Sequence, residues 1–248
     1  MINAITTKIE LDIMQAVEMD QAMQLAVIHH MPAVVVHQQL VVAAYALRIR
    51  RQGRFKIIVP IDWPRGDVYG MLKLRGMTAD MMQADGYEIL LTAGRTEAEI
   101  YNEAKVLTDF IRNQISPNAE VRFVLGCFTR SEDDIVRMAR TMKSIPSPAL
   151  LRTDHHLKMQ VTKANVRTHT ALLEKLRTET GAPIKLSGNI DSIRTIAGCV
   201  AAGASRFAVN LSQAQTIVRD IQRQPDELRQ LLAQPATAPG GIEAAPPP

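Results

Sequence analysis

The sequence is poor in cysteine and in aromatic residues. Its 248 residues include two cysteines, Cys127 and Cys199, and aromatic side chains make up 4% of the chain. Two cysteines without a framework spacing exclude a disulfide-stapled scaffold and indicate two reduced thiols. Because the chain also has 12 methionines, its core is expected to consist of aliphatic and methionine side chains.

Long apolar runs and basic blocks are missing as well. The apolar segment at residues 33–49 is interrupted by His37 and two glutamines, which makes it too short and too polar to span a bilayer. The first residues lack a basic stretch followed by an apolar one, so no secretory signal is predicted. The net charge is +4, but the densest basic cluster, residues 48–51, has no interleaved aromatic residues. We therefore expect a cytoplasmic protein that binds neither membrane nor nucleic acid.

The sequence does contain a regular alternation of strand-like and helix-like segments. Eight short runs are predicted strands: Ala4–Ile9, Ala33–His37, Lys56–Ile61, Tyr87–Ala93, Val121–Cys127, Ala149–Asp154, Pro183–Ser187 and Arg206–Asn210. Segments with helical periodicity lie between them, among them Leu11–His30 and two that begin at the capping residues Thr96 and Ser131. This order predicts an α/β fold, a (β/α)8 barrel over residues 1–234. Residues 235–248, rich in proline and alanine, are expected to form a disordered tail.

A lysine inside a predicted strand makes residues 182–210 the most informative segment. Lys185 interrupts an apolar run, and because an unpaired ammonium is costly to bury, it needs water, an anion or a substrate beside it. The carboxyl ends of barrel strands are where active sites form. Four residues near the ends of the seventh and eighth strands are candidates for binding a phosphate or another anion: Ser187, Gly188, Asn189 and Asn210.

This segment resembles the deoxyribose-phosphate aldolases, a family of class I aldolases. The family's seventh strand carries a lysine and ends in glycines, and Lys185 and Gly188 match that pattern. Residues 63–66, Trp-Pro-Arg-Gly, and residues 85–89 resemble further segments of the family, after its third strand and at its fourth. The resemblance covers about residues 4–223. It implies an aldolase-type (β/α)8 barrel that acts on a small carbonyl or phosphorylated substrate.

Three positions depart from the family pattern. The resemblance aligns the imine-forming lysine of the family with Arg152 in the predicted sixth strand, and a guanidinium does not form an imine. The family's relay aspartate corresponds to Leu90, and a single glycine, Gly188, remains of its phosphate-binding pair. The resemblance therefore implies that cleavage of deoxyribose-5-phosphate is lost.

Two classes of function remain open. In the first, the protein is an aldolase-like carbon–carbon lyase that uses Lys185 as nucleophile and needs no cofactor. Arg152 would bind an anion or form an internal ion pair. Three polar residues at strand ends are candidate proton carriers: Asp62, His37 and Asp154. The residues after the sixth strand, Asp-His-His, lack a diagnostic ligand spacing, so no metal site is predicted.

In the second class, the barrel is a non-catalytic structural or assembly protein, for example in a multi-subunit particle such as a virion. A homo-oligomer or a larger assembly is expected. An open pocket around Lys185 would favour the enzyme, and a plugged barrel mouth would favour the assembly protein.

Overall fold

The computed structural model is a closed barrel of eight parallel strands, in which each strand pairs with its sequence neighbours and the last pairs with the first. It describes residues 5–13, 15–61, 83–90, 96–125, 131–145, 156–161, 166–188, 190, 192–226 and 230–231. For residues 90, 156–161, 166–170 and 188 it describes the backbone alone. The predicted (β/α)8 architecture is thus confirmed.

The strands of the barrel are β1 (Ile9–Ile13), β2 (Ala33–Val36), β3 (Lys56–Ile61), β4 (Gly86–Leu90), β5 (Glu120–Val124), β6 (His156–Val161), β7 (Ile184–Gly188) and β8 (Ala204–Val209). The helices between them are α1 (Met19–Ile28), α2 (Val41–Arg50), α3 (Glu97–Phe110), α4 (Glu132–Lys143), α5 (Val166–Thr180), α6 (Ile193–Ala201) and α7 (Leu211–Arg223). A π-helical turn, Ile111–Ile115, continues α3.

Local sequence signals fix several helix ends. The Thr96 side chain accepts a hydrogen bond from the backbone of Glu99, whose carboxylate in turn accepts from the backbone N–H of Thr96, and this capping box begins α3. The Ser131 side chain accepts a hydrogen bond from the backbone N–H of Asp134 and so caps α4. Gly203 has a φ of +108°, a conformation open to glycine, where the chain turns from α6 into β8. The predicted starts of α3 and α4 are confirmed.

Two predicted strands are wrong. The first strand is not Ala4–Ile9 but β1, Ile9–Ile13, and the helix predicted from Leu11 begins only at Met19. The sixth strand of the barrel is β6, which begins at His156, and the residues predicted for it, Ala149–Asp154, lie outside the described residues. Both observed strands carry charged or polar residues at alternate positions, whereas the prediction sought continuous apolar runs.

The apolar core has an outer and an inner part. The outer part lies between strands and helices and receives alternate strand residues, such as Ile9, Leu11 and Ile13 of β1. The inner part is a small cluster of Ala33, Val35 and Ile58 from β2 and β3. It occupies one side of the barrel interior, and charged side chains from the other strands face it.

Among the described residues, no helix is both long enough and apolar enough to cross a membrane. The predicted tail, residues 235–248, lies outside the described residues.

Candidate active site

Five charged side chains are buried inside the barrel. They are Glu10 of β1, Glu88 of β4, Glu120 and Arg122 of β5, and Lys185 of β7, and each is at most 2% exposed. The alternation of the strands places them inside, because the residues before and after Glu10, Glu88, Arg122 and Lys185 belong to the outer apolar core. We call these five residues the interior ion cluster.

The guanidinium of Arg122 joins the three carboxylates of the cluster. Its Nη1 and Nη2 donate to the two oxygens of Glu10, at 2.5 and 3.1 Å. Its Nε donates to Glu120 at 2.6 Å, and Nη1 also lies 3.3 Å from Glu88. Although burial alone lowers the pKa of Arg122, the charges of Glu10, Glu120 and Glu88 raise it above its ordinary value. Arg122 is therefore a fixed cation that connects β5 with β1 and β4.

The ammonium of Lys185 lies between two carboxylates. Its Nζ is 2.5 Å from Oε2 of Glu10 and 2.7 Å from Oε1 of Glu88, and the side chain is 0% exposed. The structure thus satisfies the requirement derived from the sequence: Lys185 is buried, and its partners are anions of the protein itself.

Glu10 contacts three cationic side chains. Besides Arg122 and Lys185, Nη1 of Arg206 on β8 donates to its Oε1 at 2.8 Å. Burial by itself raises the pKa of the Glu10 carboxyl, but the charges of Lys185, Arg122 and Arg206 outweigh this effect and hold the pKa well below its usual range. Glu10 is therefore ionised inside the barrel.

The cluster reaches water at its rim. The Nζ of Lys56 on β3 lies 2.7 Å from Glu120, and its side chain is 45% exposed, while that of Arg206 is 25% exposed. Three carboxylates thus face two buried cations and two partly exposed ones. Desolvation of the buried groups is compensated by contacts among side chains from six strands.

The correction of the sixth strand introduces a second lysine beside Lys185. In the register of β6 and β7, Lys158 pairs with Lys185, and in the register of β5 and β6 it pairs with Val124. Register partners in parallel strands occupy the same face of the sheet and lie about 4.8 Å apart. The barrel therefore places two lysines at one level of adjacent strands, whereas the sequence prediction paired Lys185 with Arg152. Arg152 and Asp154 precede β6 and lie outside the described residues.

The other predicted site residues lie at the carboxyl ends of the strands, as far as the structure describes them. His37 follows β2, and its Nδ1 accepts a hydrogen bond from the backbone of Gln39. Ser187 is buried two residues beyond Lys185. Gly188 ends β7, and Asn210 follows β8, where its side chain caps α7 by accepting from the backbone of Gln213 at 2.8 Å. Asp62 and Asn189 lie outside the described residues, so their roles stay predictions.

Neither cysteine acquires a role from the described residues. Burial raises the pKa of the Cys199 thiol to about 11, so the thiol stays protonated at neutral pH. Cys127 lies outside the described residues. Within the described ranges, no group of histidine, cysteine and carboxylate residues could hold a metal ion.

Four of the residues that sequence reasoning missed in this region are charged and lie between apolar residues. Glu10 and Asp12 stand two apart in β1, and the half-buried Asp12 shares the inner face, where it pairs in register with Val35. Arg122 interrupts the apolar β5, and Lys158 lies in the alternating sequence of β6. All four carry the signal that identified Lys185, which is a charged residue between two apolar residues of a strand-like segment.

Comparison with solved structures identifies the kind of barrel. The chain superposes on aldolase barrels. One of them is QR15, described as an aldolase, and the match covers 89% of this chain and 97% of that one, with a TM-score of 0.70 and 15% identity. It also matches a tetrameric deoxyribose phosphate aldolase from Aeropyrum pernix, with a TM-score of 0.72, 13% identity and coverage of 90% of this chain and 92% of that one.

The likeness extends to other barrels. A chain of the BexX/CysO complex from Amycolatopsis orientalis matches with a TM-score of 0.60 and 14% identity, over 96% of this chain and 94% of that one. No protein-family model matches the sequence, and the comparison with curated proteins likewise finds no match. At these identities the matches establish the fold, which is that of the aldolase-type barrels expected from the resemblance.

Proposed function

We propose that the protein is a lyase of the class I aldolase type, in which Lys158 forms an imine with a small carbonyl substrate. The observation that carries this proposal is the pairing of Lys158 with Lys185 on adjacent strands of an aldolase-type barrel. This pairing removes the main argument against catalysis, because Lys158, and not Arg152, occupies the lysine position of the sixth strand. A primary amine is then available at that strand.

The two lysines have different chemistry. An amine attacks a carbonyl carbon through a free lone pair, and the Nζ of Lys185 is already engaged by the carboxylates of Glu10 and Glu88. The family resemblance implies that the seventh-strand lysine favours the neutral form of the sixth-strand amine beside it. Lys158 is therefore the better nucleophile, and Lys185 takes the role that the family resemblance implies for the seventh-strand lysine.

The reaction proceeds from this neutral amine. Its lone pair attacks the carbonyl carbon, water leaves the carbinolamine, and the resulting iminium accepts the electron pair of the carbon–carbon bond that breaks. A carboxylate or imidazole has to move the proton. Asp12 on the inner face of β1 and His37 after β2 are the described candidates, and Asp62 and Asp154, outside the described residues, remain proposals for the same task.

A phosphate or carboxylate on the substrate would bind at the ends of β7 and β8. Ser187, Gly188, Asn189 and Asn210 supply hydroxyl, amide and backbone donors there, next to the beginnings of α6 and α7. Leu90 remains in place of the relay aspartate, so we do not expect deoxyribose-5-phosphate to be cleaved at a rate within the usual enzyme range of about 1–1000 per second. The proposed substrate is another small aldehyde or ketone.

Borohydride trapping tests this proposal. The protein is incubated with a panel of aldehydes, the imine is reduced to a secondary amine, and mass spectrometry locates the adduct. We expect the adduct on the peptide that contains Lys158 and its loss in Lys158→Met. Lys175→Met is the matched control, because Lys175 is a surface lysine paired with Asp133 on a neighbouring helix.

An assembly protein is the alternative, and the complete pairing of Lys185 inside the barrel is the observation that favours it. In that case no aldehyde of the panel would mark Lys158, although the protein is folded. The tetrameric state of the Aeropyrum pernix aldolase supports oligomerisation of this chain, which sedimentation measures directly.

A further inference from the structure

Helix α2 presents an uncharged, apolar face to the outside of the barrel. Its exposed positions before Arg50 are Val42, Ala43, Ala46 and Ile49, which recur at helical spacing, and we call them the α2 stripe. The two larger side chains of the stripe, Val42 and Ile49, are 46% and 59% exposed. In α4, by contrast, every exposed position carries a charged side chain. An apolar outer face such as the α2 stripe is typical of a surface that another protein covers.

A groove beside the stripe continues this surface onto α1. It has a volume of about 580 Å³ and lies between α1 and the end of α2. The residues that line it are Asp20, Gln24, Val27 and Ile28 of α1, together with Arg50 and Arg51. Ile28 is exposed, so the groove offers an accessible apolar side chain as well as charged groups of both signs. It can therefore receive an apolar side chain of a neighbouring molecule and surround it with polar contacts.

The charges at this groove are suited to a copy of the same surface. Asp20 accepts a hydrogen bond from Arg51 at 2.6 Å, and its side chain is still 64% exposed. Because a carboxylate accepts several hydrogen bonds, Asp20 can bind a second arginine. Arg50 is exposed and has no ion pair within the part of the chain that the structure describes. A surface with an accessible carboxylate and an unpaired arginine is complementary to itself, whereas a partner of one sign would be repelled by one of the two.

We infer that α1 and α2 form an interface between two copies of this chain that are related by a two-fold axis. Ile49 of each copy inserts into the groove of the other, against Val27 and Ile28. Arg50 of each copy pairs with Asp20 of the other. A two-fold contact uses the same patch on both copies, so each of these contacts is made twice. The inference rests on the oligomerisation proposed above and is independent of the lyase.

This arrangement leaves the candidate active site open. Arg50 and Arg51 stand where α2 leads into β3, at the amino ends of the barrel strands. The polar residues of the candidate site lie at the opposite, carboxyl ends, so each barrel of the pair keeps its access to substrate.

Analytical ultracentrifugation of the full chain over a range of micromolar concentrations tests the inference. We expect reversible association into species of twice the monomer mass or multiples of it. Ile49→Asp places a carboxylate in the groove of the second copy and should raise the dissociation constant at least about thirtyfold, the effect of an interface hot spot. Val106→Asp is the matched control, because Val106 is 49% exposed but lies on α3. It should change the constant by less than about twofold.

Exchange of the two charges identifies the partner as a second copy. Arg50→Glu and Asp20→Arg each bring like charges together across the two-fold axis, and each should weaken association by about tenfold. The doubly substituted Arg50→Glu, Asp20→Arg protein has opposite charges in contact again, and its dissociation constant should return to within about threefold of that of the unaltered protein. Circular dichroism shows whether each variant is folded. If Ile49→Asp does not fold, the charge exchange decides alone, because both of its positions are exposed.

Three results would overturn the inference. They are a chain that stays monomeric at every concentration, equal effects of Ile49→Asp and Val106→Asp, and no recovery in the doubly substituted protein. Association that persists in Ile49→Asp assigns the oligomer to another surface, whereas a monomeric chain rejects the proposed oligomerisation as well. Neither result bears on the lyase, which borohydride trapping at Lys158 tests separately.

Discussion

At the scale of single residues, Arg122 determines whether the charged interior is stable. It is 0% exposed and binds three carboxylates from three strands. A buried ion pair adds little net stability over a well-packed apolar group, but removal of one partner leaves the others uncompensated. The importance of Arg122 is therefore measured by how much the free energy of unfolding falls when Arg122 is removed.

Replacement of Arg122 by methionine tests this. The variant keeps most of the apolar stem but leaves Glu10, Glu88 and Glu120 with Lys185 as their one buried cation, and we expect a loss of about 3–5 kcal/mol in the free energy of unfolding. Urea denaturation measures it. The surface substitution Arg137→Met removes an arginine that is 62% exposed and should change stability by less than about 0.5 kcal/mol. Equal losses in the two variants would contradict the role of the cluster.

At the scale of secondary structure elements, the strands show what the sequence can and cannot predict. Strands β2 and β3 are continuous apolar runs, and their predicted bounds agree with the structure within one residue. Strands β1 and β6 were misplaced because their polar residues occupy alternate positions. A prediction that expects an apolar barrel interior cannot anticipate a charged one, since the partners of Glu10 lie more than a hundred residues away in sequence.

The same limit applies to the candidate site. Lys185 was found because it stands alone among apolar residues, and its burial follows from that position. Its partners could not be inferred, because the register of β1, β4 and β7 is set by closure of the whole barrel. The error at the sixth strand then placed Arg152 where Lys158 belongs, and it reversed the expectation for catalysis.

Strand β4 also contains a position, Gly86, that leaves no room for a side chain. A Cβ added to Gly86 would lie 2.6 Å from the carbonyl oxygen of Glu120 and 2.8 Å from its Cβ. Because backbone atoms of β5 cannot move aside cheaply, we expect Gly86→Ala to destabilise the protein by about 1–3 kcal/mol.

Gly198 provides the opposite case for comparison. It lies within α6, and a Cβ there would meet no atom within 4 Å. Alanine has the higher helix propensity, so Gly198→Ala should stabilise the protein by about 0.5–1 kcal/mol. Thermal unfolding of both variants is the measurement, and a Gly86→Ala variant as stable as the unaltered protein would show that the close approach of β4 and β5 is not limiting.

At the scale of the whole molecule, the buried charges link stability to pH. Ionised Glu10 binds fewer protons in the folded protein than in the unfolded chain, because its folded pKa lies well below the ordinary value of 4.5. Its contribution is therefore complete above about pH 4.5 and is lost as the pH falls towards the folded pKa.

We expect the free energy of unfolding to decrease below that pH, and to decrease less steeply in Glu10→Gln, which has no carboxyl to protonate. Urea denaturation at a series of acidic pH values gives both slopes. The surface variant Asp133→Asn, which removes an exposed carboxylate paired with Lys175, serves as the control. If Glu10→Gln and the unaltered protein have the same slope, Glu10 does not govern the acid sensitivity.

The contacts of Glu10 also bear on when during synthesis the protein can fold. Glu10 binds Arg122, 112 positions later, and Arg206, 196 positions later. A nascent chain that has emerged only as far as β5 has Glu10 and Arg122 but neither Lys185 nor Arg206, so Glu10 lacks two of its three cationic partners. Contacts over such separations form late, because the loops that they close are long. The barrel is thus expected to acquire its native interior only after β8 has left the ribosome, with the first strands held in a loose state until then.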